Sequence, residues 1–146
     1  MFFKHKHFFK ISNKVLNHNP KKLVERINLH ENTKDKDQCM IIWQKKAYCH
    51  KPKKFLDSHK VYLCLKGSLK ILILSASGKI IKTMILDSKK NNFCRIKRNV
   101  FHADVPVTKY TLHCEITNHS YVKRRIVYLN DISYKNFKKR YAKIIK

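Results

Sequence analysis

From residue 38 to residue 117 the apolar side chains recur at every second position in short runs, and this period decides what the chain can fold into. Strands are predicted over 38–44, 47–50, 60–66, 69–75, 80–86, 92–96, 101–105 and 110–117, with a further apolar run over 125–129. Turn chemistry separates them. Lys66-Gly67-Ser68 joins two strands tightly, and Ser75-Ala76-Ser77-Gly78-Lys79 closes a hairpin. A strand with one apolar face must bury it against a second layer, so many short strands at short intervals point to a mainly β fold, an antiparallel sandwich or barrel of jelly-roll type.

The ends follow a different period. Asn13 can cap a turn through Val15 and Leu16, and after Pro20 the residues Leu23, Val24 and Ile27 stand at helical spacing, so 13–27 is read as helical. In the tail, Tyr134, Phe137, Tyr141 and Ile144 share one helical face and lysines fill the other. The expected organisation is a basic aromatic extension over 1–12, one domain over 13–132 with its barrel at 38–130, and a basic helix over 133–146. With 146 residues, 43% of them hydrophobic, and only Gly 2 and Pro 3, the chain can build one real core without a long linker.

Lys+Arg 34 against Asp+Glu 9 gives a formal charge of +25, enough to attract polyanions in a strongly salt-dependent way. The excess is mostly Lys, scattered with Asn and Ile, a set that A/T-rich codons also produce. A solvated lysine surface and a dedicated polyanion site both fit. No helix-turn-helix, zinc-finger or RNP-like sequence is visible, so specific nucleic-acid recognition is not expected. No run is long enough to span a membrane, and Met1 to Lys10 breaks its aromatic residues with charge, unlike a signal peptide. Cys39, Cys49, Cys64, Cys94 and Cys114 are odd in number, lack a C-x-x-C pair and lie in apolar runs. They are read as small buried hydrophobes in a reducing cytoplasm, with thiol ligation or redox chemistry as the lesser reading.

Several segments taken in order carry a resemblance. Arg26-Ile27-Asn28-Leu29-His30-Glu31, Asp35 to Met40, Val61 to Leu69, Ile96 to His102, and Glu115 to Tyr121 together resemble the WbuC family of cupin-fold metalloproteins. The likeness spans roughly residues 14 to 121 and rests on ordered weak motifs. It implies a cupin-type jelly-roll β-barrel with short helices at both ends, whose mouth holds a divalent metal such as Zn, Fe, Ni or Mn. It also implies a place in surface-polysaccharide synthesis, in the O-antigen or lipopolysaccharide class, with a sugar, sugar phosphate or nucleotide-sugar as ligand and a homodimer as the common assembly.

In such barrels a first motif supplies two His and a Glu, and a second motif supplies one His. The resemblance puts His102 at the second-motif position. Lys53 and Phe55 then stand at the two His positions and Lys60 at the Glu position. His50 or His59 can restore a three-imidazole set with His102 if the loop shifts. Lys53, Lys54 and Lys60 bring positive charge to the same mouth, which opposes a dication.

Other candidates follow from residue type. Lys60 can bind an anion directly. Glu115 is one of few acids and is either a general base facing a sugar or the partner of a lysine. His30 is either an acid/base group at the mouth or a structural histidine bonded to backbone. Trp43 and Tyr48 are candidate sugar-stacking rings, with core packing as the alternative. If the chain is an enzyme, sugar isomerisation or epimerisation through His102, Glu115 and His30 is the expected chemistry; the alternative is a binding module that has lost its metal. His113 and His119 are read as surface or loop residues, and His5-Lys6-His7 as weak evidence for a terminal metal site.

Overall fold

The computed structural model describes residues 22–46 and 48–145. Ten strands are described: β1 (Val24–Asn28), β2 (Gln38–Lys45), β3 (Lys53–Phe55), β4 (Lys60–Lys66), β5 (Ser68–Leu74), β6 (Ile80–Asp87), β7 (Phe93–Ile96), β8 (Phe101–Pro106), β9 (Tyr110–Thr117) and β10 (Ile126–Tyr128). One helix, α1 (Asp131–Ile145), follows them. The strands form two antiparallel five-stranded sheets in the orders β1-β2-β9-β4-β7 and β10-β3-β8-β5-β6. The fold is mainly β, two antiparallel sheets of jelly-roll type, as the period-two pattern predicts.

Alternation sorts each strand into two faces. Between the sheets, Tyr62 and Cys64 of β4 pack with Leu69 and Ile71 of β5, Leu86 of β6 and Ile96 of β7. The opposite face of the second sheet is also covered. There Leu72, Leu74, Ala103 and Val105 meet Leu129, Phe137 and Tyr141 of the C-terminal segment.

That packing fixes where α1 starts. Asn130 Oδ1 accepts from the Ser133 amide at 2.8 Å, an N-cap that satisfies one of the orphan donors of the first turn. The helix therefore begins at Asp131 instead of residue 133, and the Asp131 carboxylate suits its positive end. Gly78, at φ 77°, lies directly beneath this turn, and a Cβ there would stand 2.3 Å from the Ser133 carbonyl oxygen. Only glycine fits that hairpin and that contact together.

Three local expectations differ from the structure. Val24–Asn28 is an edge strand paired with β2, although its apolar spacing reads as helical; residues 13–21 of that predicted helix lie outside the described residues, as do His5 and His7. The Val24 and Ile27 spacing mimics a helix, although the two lie on opposite faces of the strand, Val24 in the row of Arg26 and Asn28 and Ile27 against the outer cluster. Tyr48 to His50 form no strand, and Ala47 lies outside the described residues. Lys53–Phe55 does form one, pairing with β10 and β8, although a three-residue Lys-Lys-Phe run carries no period of its own. Among the described residues no helix is long and apolar enough to cross a membrane.

Because Phe137 is 1% exposed at the centre of the helix–sheet contact, Phe137→Ala should destabilise the domain by about 3–5 kcal/mol in urea denaturation. Loss of under about 1 kcal/mol would show that α1 contributes little to the core.

Candidate functional site

The same alternation that builds the core also lays a polar row along it. On β9, Thr111, His113, Glu115 and Thr117 all point between the sheets and are buried. Opposite them β2 presents Gln44, Ile42, Met40 and Gln38 in register, and β4 presents Cys64, Tyr62 and Lys60. From the other sheet, His102 and Asp104 of β8 face the same interior and are both 2% exposed.

Charges at such depth persist only when paired. Lys60 Nζ donates to Glu115 Oε2, and the two side chains are 4% and 6% exposed. Burial pushes the Lys60 pKa down against the pull of Glu115. Burial also opposes the Glu115 carboxylate, but the Lys60 ammonium and neighbouring His113 more than offset it, so Glu115 lies below its ordinary range. Asp104 is held low in the same way, its burial outweighed first by His50 and then by His113 and Lys60. His50 Nδ1–H donates to Asp104 Oδ2 at 3.0 Å, and the Tyr62 hydroxyl donates to Asp104 Oδ1 at 3.4 Å. His50 Nε2 then accepts from the Arg26 guanidinium. One continuous relay thus links Arg26 at the mouth to Asp104 in the interior.

His102 is fixed differently. Its Nδ1–H donates to the Val100 carbonyl at 3.0 Å, which leaves the Nε2 lone pair buried without a hydrogen-bond partner among the described residues. Burial, reinforced by the Lys60 ammonium, lowers its pKa to about 4. The ring is therefore neutral at pH 7.

The positions named by the cupin resemblance do converge. Lys53 is the β-partner of His102, the Phe55 and His102 rings are 5.8 Å apart, and Lys60 Nζ lies 5.3 Å from the Phe55 ring centre. Two ammoniums, a benzyl ring and one imidazole offer a single donor atom, so this set does not fit a divalent cation. His59 does not repair it. It sits beside Arg95, whose Nη2 donates to His59 Nδ1 at 3.3 Å, on the opposite face of β4 from Lys60. His50 is engaged with Asp104, so the predicted His50, His59 and His102 triad is not assembled.

A different group has suitable chemistry. Asp104, His113 and Glu115 each offer one ligand atom, all within 4.8 Å of one another and all buried. His113 is 0% exposed with both ring nitrogens unpartnered, and its Nε2 stands 3.6 Å from Glu115 Oε1. The surface reading of His113 is thereby corrected. An ion there would compete with Lys60 for Glu115 and with His50 and Tyr62 for Asp104.

Above this interior lies an open cavity of about 470 Å³. Among the described residues, Arg26, Lys53, Lys60 and Arg124 supply cations, and Glu115, already paired, is the one acid lining it. Asn28, Thr33, Gln38 and Thr117 add neutral polar groups, and Phe55, Tyr121 and Tyr128 add rings. The Arg124 guanidinium packs 5.0 Å from the Phe55 ring and 5.1 Å from the Tyr121 ring, which holds its planar fork rigidly at the wall.

His30 lines this cavity while its Nδ1–H donates to the Cys39 carbonyl at 2.8 Å, the backbone-bonded role. Trp43 and Tyr48 do not form one platform. Trp43 lies on the outer face of β2 with Ile41, Leu112 and Cys114, next to Tyr110, and Tyr48 packs edge-on against His50. Sequence reasoning missed Arg26, Arg124, Asp104 and His113. The last two carried a signal, since Asp104 follows His102 by two and His113 precedes Glu115 by two on inward rows.

No protein-family model matches the sequence, and no curated protein matches it either. Solved structures do resemble the fold. Capsular polysaccharide assembling protein CapF from Staphylococcus aureus superposes with a TM-score of 0.64 at 11% identity, covering 77% of this chain and 33% of that one. Oxalate oxidase in complex with glycolate gives 0.57 at 16% identity, with 76% and 58% covered. Procruciferin, an 11S globulin from Brassica napus, gives 0.59 at 9% identity, with 77% and 29% covered. The chain spans about a third of CapF and of procruciferin and over half of oxalate oxidase. These cupin-fold neighbours place the chain in the cupin-type class of barrels by fold.

Two outcomes follow from the buried charges. Removing one member of the pair, by Lys60→Met or Glu115→Leu, should cost about 3–5 kcal/mol because the other charge is stranded. The double variant should cost less than either single one in a denaturation cycle; simple additivity would show that the pair is not coupled. For His102, the unfolded ring binds protons near pH 6.5 but the folded ring only near 4. Its contribution is complete above pH 6.5 and is lost as pH falls from 6.5 toward 4, on the order of 3 kcal/mol. His102→Gln should flatten that part of the stability–pH curve, and an unchanged slope would contradict the buried neutral ring.

Proposed function

We propose that this chain is a cupin-type binding protein for an anionic sugar, a sugar phosphate or nucleotide-sugar of surface-polysaccharide synthesis, and that cations hold the ligand where related barrels use a metal. One observation carries the reading: among the described residues the cavity is lined by four cations and one acid, and that acid is already paired with Lys60. A net positive, partly desolvated cleft favours an anion, and its volume suits a phosphorylated monosaccharide. Arg26, Lys53 and Arg124 would contact the phosphate, with Arg124 able to bind it through two parallel hydrogen bonds. Asn28, Thr33, Gln38 and Thr117 would meet hydroxyls, and Tyr121 and Tyr128 would pack on the ring.

The similarity in fold to CapF, a capsular polysaccharide assembling protein, supports the sugar class. Isomerisation is the weaker reading, because Glu115 is clamped by an ammonium and held below its ordinary range, far from the raised pKa of a working general base. A partner of the same fold, in a homodimer, is compatible with this role.

Calorimetry with glucose 1-phosphate, UDP-glucose and glucose tests the proposal. The phosphorylated ligands should bind at least about tenfold more tightly than glucose. Arg124→Ala and Lys53→Ala should each weaken them by about 10–100-fold, whereas Lys79→Ala on the exposed hairpin should change nothing. Chelator should leave the affinity intact. Equal affinity for glucose, equal loss in Lys79→Ala, or abolition by chelator would each overturn the reading.

A further inference from the structure

Behind the cavity wall, on the outer face of β2 and β9, two thiols touch. Cys39 Sγ and Cys114 Sγ are 3.5 Å apart although 75 positions separate them in sequence. The register pairs Cys39 with Ile116 and Ile41 with Cys114, so the two cysteines are diagonal neighbours on one face of adjacent antiparallel strands. They differ in access. Cys114 is 6% exposed within the cluster of Ile41, Trp43 and Leu112, while Cys39 is half-buried at its margin.

Their surroundings also divide the labour. The hydrogen bond from Cys114 lowers the Cys39 thiol to about 7, and Cys114 is correspondingly raised. Burial raises the other three, with Cys49 at about 12 and Cys64 and Cys94 at about 11. A half-exposed thiolate beside a buried thiol is the arrangement of an attacking and a resolving cysteine.

We propose that Cys39 and Cys114 form a reversible intramolecular disulfide, with Cys39 as the attacking thiolate and Cys114 as the resolving thiol. The oxidant is a small-molecule disulfide such as oxidised glutathione. Cys39 thiolate attacks one of its sulfurs, forming a mixed disulfide and expelling one glutathione thiolate. Cys114, losing its proton, then attacks the Cys39 sulfur and expels the second. Two protein thiols are oxidised, one glutathione disulfide is reduced to two thiols, and the two protons released by the cysteines end on the leaving thiolates. The neighbours of the bridge are Met40 and Glu115, cross-strand partners that point the other way into the cavity, so the bridge would tie the strands together directly behind the ligand wall.

The test uses the folded full chain equilibrated with oxidised and reduced glutathione over a range of ratios, followed by alkylation and non-reducing peptide mapping. The expected product is a Cys39–Cys114 linked peptide lighter by two hydrogens, with Cys49, Cys64 and Cys94 still alkylated once the protein is unfolded. In Cys114→Ser, or Cys114→Ala if the former folds poorly, Cys39 should instead accumulate as the glutathione adduct. A stable adduct on Cys39 of the unsubstituted chain with Cys114 free, an unreacted Cys39, or a bridge to another cysteine in comparable yield would overturn the assignment.

Discussion

The Lys60–Glu115 pair is the interaction on which the rest of the interior depends. An ammonium and a carboxylate between two sheets each lose several kcal/mol of hydration, and their mutual attraction repays this only with good geometry and further polar support. The support is visible in the inward row of β9, where His113 stands beside Glu115, and in β8, where Asp104 adds a second buried carboxylate held by His50 and Tyr62. Two anions and one ammonium share a small volume. The Arg26 guanidinium donates to His50 Nε2 and so orients the imidazole that holds Asp104.

This arrangement also sets what the cavity can do. Glu115 faces the ligand space but is occupied, so the charge left available at the mouth is positive, from Arg26, Lys53 and Arg124. His102 contributes a neutral ring whose Nε2 lone pair is buried between aromatic neighbours, with Phe55 on one side and Tyr62 on the other. In the cupin geometry these are the places of metal ligands. Here the same backbone positions carry a salt bridge, a cation–π stack and a lone imidazole, and the proposed anionic ligand rests on that change of residue types.

Local pattern carried much of the fold. The strands over 60–66 and 110–117 were legible because alternation and flanking turns agree, and both appear with those bounds. Val24–Asn28 was misread because two apolar residues three apart look helical even when a strand puts them on opposite faces. Lys53–Phe55 left no pattern because three residues are too few to show a period, and its pairing with β8 and β10 supplies what propensity does not. In the site, Lys53, Phe55, Lys60 and His102, the positions named by the resemblance, lie near one another. The resemblance could not show that Lys60 spends its charge on Glu115, or that His59 turns outward beside Arg95.

The sequence by itself determined that this chain is a sheet protein with a strongly basic composition and two glycine turns. Those properties are local: side-chain period, backbone conformation and residue type at fixed spacing. Tertiary structure alone decided which charges meet, because Lys60 and Glu115 are 55 positions apart, His50 and Asp104 are 54 apart, and Cys39 and Cys114 are 75 apart. Sheet order brings such distant residues together, and pairing within a dry interior then fixes their protonation and their chemistry.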